Sequence, residues 1–149
     1  MKSVDKVDIK KFMGKWYELA SLPTTFNKGC VCSMVDMEYD DESGYVKVIN
    51  SCMKKGKQGA VLAKAFIKDN SGNARWKMQM FWPFKSDYYI LKLADDYSYA
   101  LVGSPDYSQL QILSRNPELP DRVMDELILY SESLGFESGI IKKSDQNCN

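Results

Sequence analysis

The sequence predicts an all-β protein: an eight-stranded antiparallel up-and-down β-barrel with one C-terminal α-helix packed outside. Three observations predict it. Short runs of alternating apolar and polar residues follow one another from Trp16 to Ser114, divided by Gly, Pro, Asn, Asp or Ser. Lysines recur inside them at Lys64, Lys77 and Lys92, as in a sheet wet on its outer face. After Pro120 the apolar period changes from that of a strand to that of a helix. Strands in meander order leave two open edges, which closure into a barrel removes. A sandwich is the rival on pattern alone.

Taken in order, Asp8 is an acceptor ahead of Ile9, Phe12 and Met13 at helical spacing, so one helical turn is expected there, ended by Gly14. Trp16 to Leu22 alternates as a strand, and Pro23, Asn27 and Gly29 mark a loop. A long hairpin follows. Val31, Ser33, Val35, Met37 and Tyr39 share one parity, the turn falls at Asp40 to Gly44, and the return strand carries Val46, Val48 and Asn50 on one face. Further strands are expected at Ala60 to Lys68, Ala74 to Trp82, Tyr88 to Ala94, Tyr97 to Gly103 and Gln109 to Ser114. Pro120 then opens a helix with Val123, Leu127 and Leu134 on one stripe, flanked by Met124, Ile128 and Tyr130, and Gly135 stands where its C-terminal cap belongs. A last short strand, Ser138 to Lys142, would rejoin the sheet.

A chain of 149 residues fits one domain, 1–149, and 44% hydrophobic residues can fill a core. Twenty basic and twenty acidic residues cancel, with no long run of either sign, which disfavours nucleic acid as a partner. No apolar run reaches the roughly 18 residues of a membrane-spanning helix. The start, Met1 to Lys11, is charged rather than signal-like, so any export signal would lie outside this chain. There is no histidine, and the four cysteines lack the spacing of paired C-x-x-C units, so neither a metal site nor a cofactor is expected.

The residues carry a resemblance. Gly14-Lys15-Trp16-Tyr17-Glu18 resembles the G-x-W signature of the lipocalins; Asp96-Tyr97 before a strand resembles their second motif, and Arg115 after Leu110-Gln111-Ile112-Leu113-Ser114 their third. Leu22-Pro23-Thr24-Thr25-Phe26, Val48-Ile49-Asn50, Tyr99-Ala100-Leu101-Val102 and Leu113-Ser114-Arg115-Asn116-Pro117 are similar to the branch of bacterial lipocalins and apolipoprotein D. That resemblance implies the same barrel, one end closed by the N-terminal turn. Physics assigns the motif residues to structure: Trp16 as a plug at the closed end, with Arg115 over its face donating to nearby carbonyls.

Strand parity, anchored on Trp16, the hairpin and Arg115, predicts the cavity wall. Lys47, Lys77 and Lys92 should face out. Glu18, Ala20, Met37, Tyr39, Val46, Val48, Asn50, Trp76, Met78, Met80, Trp82, Tyr89, Leu91, Leu93, Gln111 and Leu113 should then face in. Met78 and Met80 suit a flexible acyl chain, or else fill a solid core. Glu18, Tyr39, Asn50 and Gln111 are polar groups aimed into an apolar barrel and need partners, a ligand headgroup among them. In the related branch the positions matching Tyr39, Asn50 and Gln111 line the pocket; Gln111 stands where apolipoprotein D has an aromatic, which favours acyl chains over planar ligands. Phe81-Trp82-Pro83-Phe84 would lie at one rim, to touch membranes or a second subunit if exposed.

Cys30, Cys32, Cys52 and Cys148 form an even count in a small β domain, which suggests two disulfides and an oxidising compartment. The resemblance favours Cys30 with Cys52 and Cys32 with Cys148. Hairpin counting, with Tyr39 opposite Tyr45, brings Cys32 opposite Cys52 instead, so the swap stays open. The expected function is non-enzymatic: binding, transport or storage of a small hydrophobic ligand such as a fatty acid or lysophospholipid, by a monomer or weak dimer that is secreted, periplasmic or outer-membrane associated. The alternatives are a lipid-modifying enzyme using a free Cys52 thiol and a surface-binding scaffold with a filled barrel.

Overall fold

Alternation along the chain resolves into a closed sheet in the computed structural model, which describes residues 1–148. A helical turn α1 (Ile9–Phe12) precedes β1 (Gly14–Ser21), β2 (Val31–Asp40), β3 (Tyr45–Lys54), β4 (Lys57–Ile67), β5 (Arg75–Phe81), β6 (Phe84–Leu93), β7 (Tyr99–Gly103) and β8 (Leu110–Ser114). Each strand pairs antiparallel with the next, and β1 pairs with both β2 and β8. That last pairing makes a barrel and removes the sandwich. After β8 come α2 (Asp121–Ser133), a 3-10 turn (Ser138–Ile140) and β9 (Lys142–Lys143), which adds to the upper part of β1 at Ala20 and Ser21. The terminal strand expected from Ser138 is therefore mostly a 3-10 turn, and β4 begins at Lys57 rather than Ala60.

Up-and-down order places the turns alternately at two ends. The hairpin turn after Asp40, the residues 68–74 and the residues 94–98 lie at the closed end. There Asp8 caps α1, its Oδ1 accepting from the Lys10 and Lys11 amides, and Val7 N donates to Gly72 O at 2.8 Å. The residues 22–30, 55–56, 82–83 and 104–109 lie at the mouth.

Two apolar layers share the barrel wall. The inner layer includes Trp16, Val35, Met37, Val46, Val48, Ala65, Trp76, Tyr88, Ile90, Val102 and Leu113. The outer layer joins Leu19, Ala20, Leu22, Leu91, Leu101, Leu110 and Ile112 to Val123, Met124 and Leu127 of α2 and to Phe136. Full burial of each such helix side chain contributes roughly 1.5–3 kcal/mol, which fixes α2 against the barrel. Its end is closed by Gly135 N donating to Glu132 O and Phe136 N to Ser131 O, and Phe136 then tucks into the same layer.

β-Bulges decide which residues enter which layer. On β1 the register with β8 shifts between Glu18 and Ala20, so Leu19 and Ala20 both turn outward and Ser21 turns in. On β6 it shifts between Ile90 and Lys92, so Leu91 and Lys92 both turn outward. Each bulge presents the helix side with two consecutive residues, and Lys92 Nζ ends 4.6 Å from the Tyr130 ring centroid.

The hairpin register also differs from expectation. Asp40 pairs with Tyr45 and Tyr39 with Val46, which sets Asn50 opposite Val35 on the inward face. A bulge between Val31 and Met34, where Cys32 adopts φ 58°, then separates Cys32 from Cys52.

Candidate ligand-binding site

The floor of the barrel is built first, because everything above rests on it. Phe12 lies 5.1 Å from Trp16 and 5.7 Å from Trp76, ring centroid to centroid, and all three are fully buried. Trp16 Nε1 donates to Phe12 O at 2.9 Å. Arg115 closes the stack from outside: its guanidinium stands 3.6 Å over the Trp16 ring while Nη1 donates to Lys15 O at 2.7 Å and Nη2 to Lys11 O and Met13 O at 2.9 Å. Gly14 adopts φ 95° directly beneath it, a conformation that a side chain disfavours. Asp96 Oδ1 accepts from Ser98 N at 3.0 Å, and Tyr97 Oη accepts from Asp8 N at 2.8 Å. The motif residues Gly14, Trp16, Asp96, Tyr97 and Arg115 thus gather at the closed end, where they join the N-terminal turn to the barrel.

Above the floor lies a cavity of about 570 Å³, lined among others by Glu18, Ser33, Met37, Val48, Asn50, Val61, Met78, Met80, Tyr88 and Gln111. Its size falls within the few hundred to a thousand Å³ usual for a small-molecule pocket. Two polar regions interrupt the apolar wall. Near the floor, Glu18 stands two residues above Trp16, and its Oε2 accepts from Gln111 Nε2 at 2.7 Å. Burial pushes the Glu18 carboxyl above its ordinary value, partly offset by the Ser21 hydroxyl and the Gln111 amide. Tyr88 stacks on Trp76 at 5.2 Å, and its hydroxyl is pushed up by burial, with the Glu18 charge acting in the same direction. At the mouth, Lys54 and Lys57 face each other across the end of the β3–β4 hairpin and belong to the lining.

Of the residues expected to face the cavity, Glu18, Met37, Val48, Asn50, Met78, Met80 and Gln111 line it. Five do not. Ala20 and Leu91 are turned out by the bulges described above, into the layer under α2. Tyr89 precedes the β6 bulge and faces out, beneath the cations of Lys68 and Arg75. Anchoring β6 parity on an outward Lys92 carried the error through both residues, because the bulge lies between Ile90 and Lys92. Tyr39 packs against the inner layer near the turn at Asp40, below the cavity. Trp82 lies past the end of β5, in the turn, and is 85% exposed. Tyr88, which also belongs to the lining, was missed through the same β6 error, whereas Ser33 shares parity with Val35 and Met37 and was legible.

Both disulfides follow the pairing that the resemblance favours, Cys30 with Cys52 and Cys32 with Cys148, rather than the swap. All four cysteines are therefore bonded, and Cys52 offers no thiol nucleophile. The chain end is also held by hydrogen bonds: Gln146 Nε2 donates to Glu18 O at 2.8 Å and Ser33 O at 3.0 Å, and Cys32 N donates to Asp145 O at 2.8 Å. Around the mouth, Phe26, Phe81 and Phe84 are 54%, 64% and 76% exposed beside Trp82. Lys28, Lys54, Lys55, Lys57 and Lys85 flank them, against Asp106.

Residues 7–146 match the family model of the lipocalin-like domain. The chain is 32% identical over 142 residues to the outer membrane lipoprotein Blc of Vibrio cholerae, covering 93% of this chain and 82% of that protein. It is 31% identical over 156 residues to apolipoprotein D of Bos taurus, covering 97% and 80%. Among solved structures, insecticyanin from the tobacco hornworm Manduca sexta superposes with a TM-score of 0.77 at 20% identity, covering 97% of this chain and 84% of that one. With its closed barrel, floor clamp and cavity, the chain belongs to the lipocalin family, whose members bind and transport small hydrophobic ligands.

Proposed function

We propose that this lipocalin carries one acyl-chain amphiphile, a fatty acid or lysophospholipid, with its tail in the barrel and its anionic headgroup at the mouth. The single observation that carries this reading is the polarity of the cavity: an apolar, methionine-bearing wall with Lys54 and Lys57 at its rim. Met78 and Met80 adapt to a bent chain, and paired lysines attract a carboxylate or phosphate. The exposed Phe81, Trp82 and Phe84 with their neighbouring lysines suit a second step, contact with an anionic lipid surface from which the ligand is taken up or to which it is delivered. Outer-membrane Blc relatives and the two disulfides support work outside the reducing cytosol.

The two other readings lose their footing on particular residues. A thiol-dependent lipid-modifying enzyme needs Cys52 free, and it is bonded to Cys30. A scaffold with a filled barrel does not fit a cavity of about 570 Å³.

Titration of delipidated protein with a fluorescent fatty acid tests the reading. Met80→Trp, which fills the wall, and Asn50→Leu, which removes a polar lining group, should each weaken binding roughly tenfold while the melting temperature changes little. Unchanged affinity in both variants would place the binding site elsewhere. Trp82→Ser with Phe84→Ser should cut binding to vesicles containing anionic lipid and leave affinity for the free fatty acid intact.

A further inference from the structure

We propose that a groove on the outside of the barrel takes the second hydrocarbon chain of a two-chain phospholipid whose first chain lies in the cavity. The proposal rests on the acyl-chain reading above and extends it from one-chain to two-chain lipids. On the outer face, Ile49 of β3 and Leu62 of β4 stand opposite each other, 40% and 70% exposed. With Gln79, Trp82, Lys47 and Lys64 they line a groove of about 510 Å³, close in volume to the cavity and mostly apolar.

The wall between the two spaces is unzipped. The ladder between β4 and β5 ends at Lys64 and Gln79, yet β4 continues to Lys57. On the other side of the gap, the register of β5 with β6 shifts between Met78 and Phe81. Every second residue from Lys57 to Ala63 therefore turns its backbone N–H and C=O away from β3, to an edge without a strand partner among the described residues. Both spaces reach this edge. Gly59, Ala60 and Val61 line the cavity, Leu62 and Ala63 line the groove, and Met80 across the gap lines both.

A phospholipid astride the β4 edge satisfies each of these features. Its phosphate meets Lys57 at the mouth, and its ester carbonyls accept from the free N–H groups of the edge. The chains then part, one into the barrel and one over Leu62 and Ile49. A one-chain lipid leaves the groove bare. Asp36 and Glu38 bound the far side of the groove, so hydrocarbon and not an anionic headgroup belongs there.

Calorimetric titration of the delipidated chain with dioctanoyl phosphatidylglycerol and octanoyl lysophosphatidylglycerol, each below its micellar concentration, tests this. The two-chain lipid should bind one per chain and roughly tenfold tighter than the one-chain lipid, because its second chain leaves water. Leu62→Glu, and to a smaller extent Leu62→Ser, should remove that advantage while the one-chain lipid binds as to the unaltered chain; that retained binding also shows that the variants fold. Two-chain binding no tighter than one-chain binding, an advantage that survives Leu62→Glu, or an equal loss of both lipids in either variant would overturn the groove site and leave the acyl reading intact. Self-association of the unaltered chain that disappears in Leu62→Glu, with the two-chain advantage unchanged, would give the groove to a second copy instead. Failure of both lipids to bind the unaltered chain would overturn the groove and the acyl reading together.

Discussion

Removing the two disulfides separately should have unequal consequences. Cys30 and Cys52 are separated by 22 residues and Cys32 and Cys148 by 116. Loop-closure entropy then assigns about 3.4 kcal/mol to the short bridge and about 4.8 kcal/mol to the long one at 25 °C. The long bridge keeps its full value only if the tail stays docked without it. Gln146 donating to Glu18 O and Ser33 O, Ser144 N to Leu19 O and Cys32 N to Asp145 O are the contacts that would hold it there. If they fail, the native state gains freedom too, and the cost of losing the bridge shrinks. Urea unfolding of Cys30→Ala/Cys52→Ala and Cys32→Ala/Cys148→Ala, followed by fluorescence of the buried Trp16 and Trp76, measures both. The variant lacking the long bridge should be the less stable by about 1.5 kcal/mol. The reverse order would refute the independent docking of the tail.

Arg115→Met should lower stability by about 3 kcal/mol, since three charge-assisted hydrogen bonds and a cation–π contact go while the aliphatic stem remains. Arg115→Lys should recover less than half of that in the same urea assay, because a point charge cannot fork to three carbonyls. Glu18 gives a pH signature. Its folded-state pKa is raised by burial, so below the ordinary value of 4.5 it is protonated in both states and carries no cost. As pH rises through that value the unfolded chain releases its proton first, and stability falls until the folded pKa is passed. Glu18→Gln should therefore melt higher than the unaltered chain at about pH 8, with the difference vanishing near about pH 4. A difference independent of pH would mean that the substitution acts through packing.

Much of the architecture was legible because most strands alternate. Period two survives along β3 and over most of β2 and β5, and it located Met37, Val48, Asn50, Met78 and Met80 on the cavity wall. It failed where tertiary packing overrode it. The bulges on β1 and β6 let two consecutive residues face the helix, and nothing local in Leu19-Ala20 or Leu91-Lys92 marks them as bulged. Ala20, Tyr89 and Leu91 were displaced by that effect and Tyr88 was hidden by it. Trp82 was lost to a strand end at Phe81, one residue short of the alternation's reach. The polar pair Glu18 and Gln111 was foreseen as two groups in need of partners, and they are each other's.

Native mass spectrometry of the chain purified from its own host, compared with the same sample under denaturing conditions, tests the central claim most directly. One amphiphile per chain, released on denaturation from a protein carrying both disulfides, is the predicted result. An empty barrel that also refuses fatty acids added afterwards would contradict it.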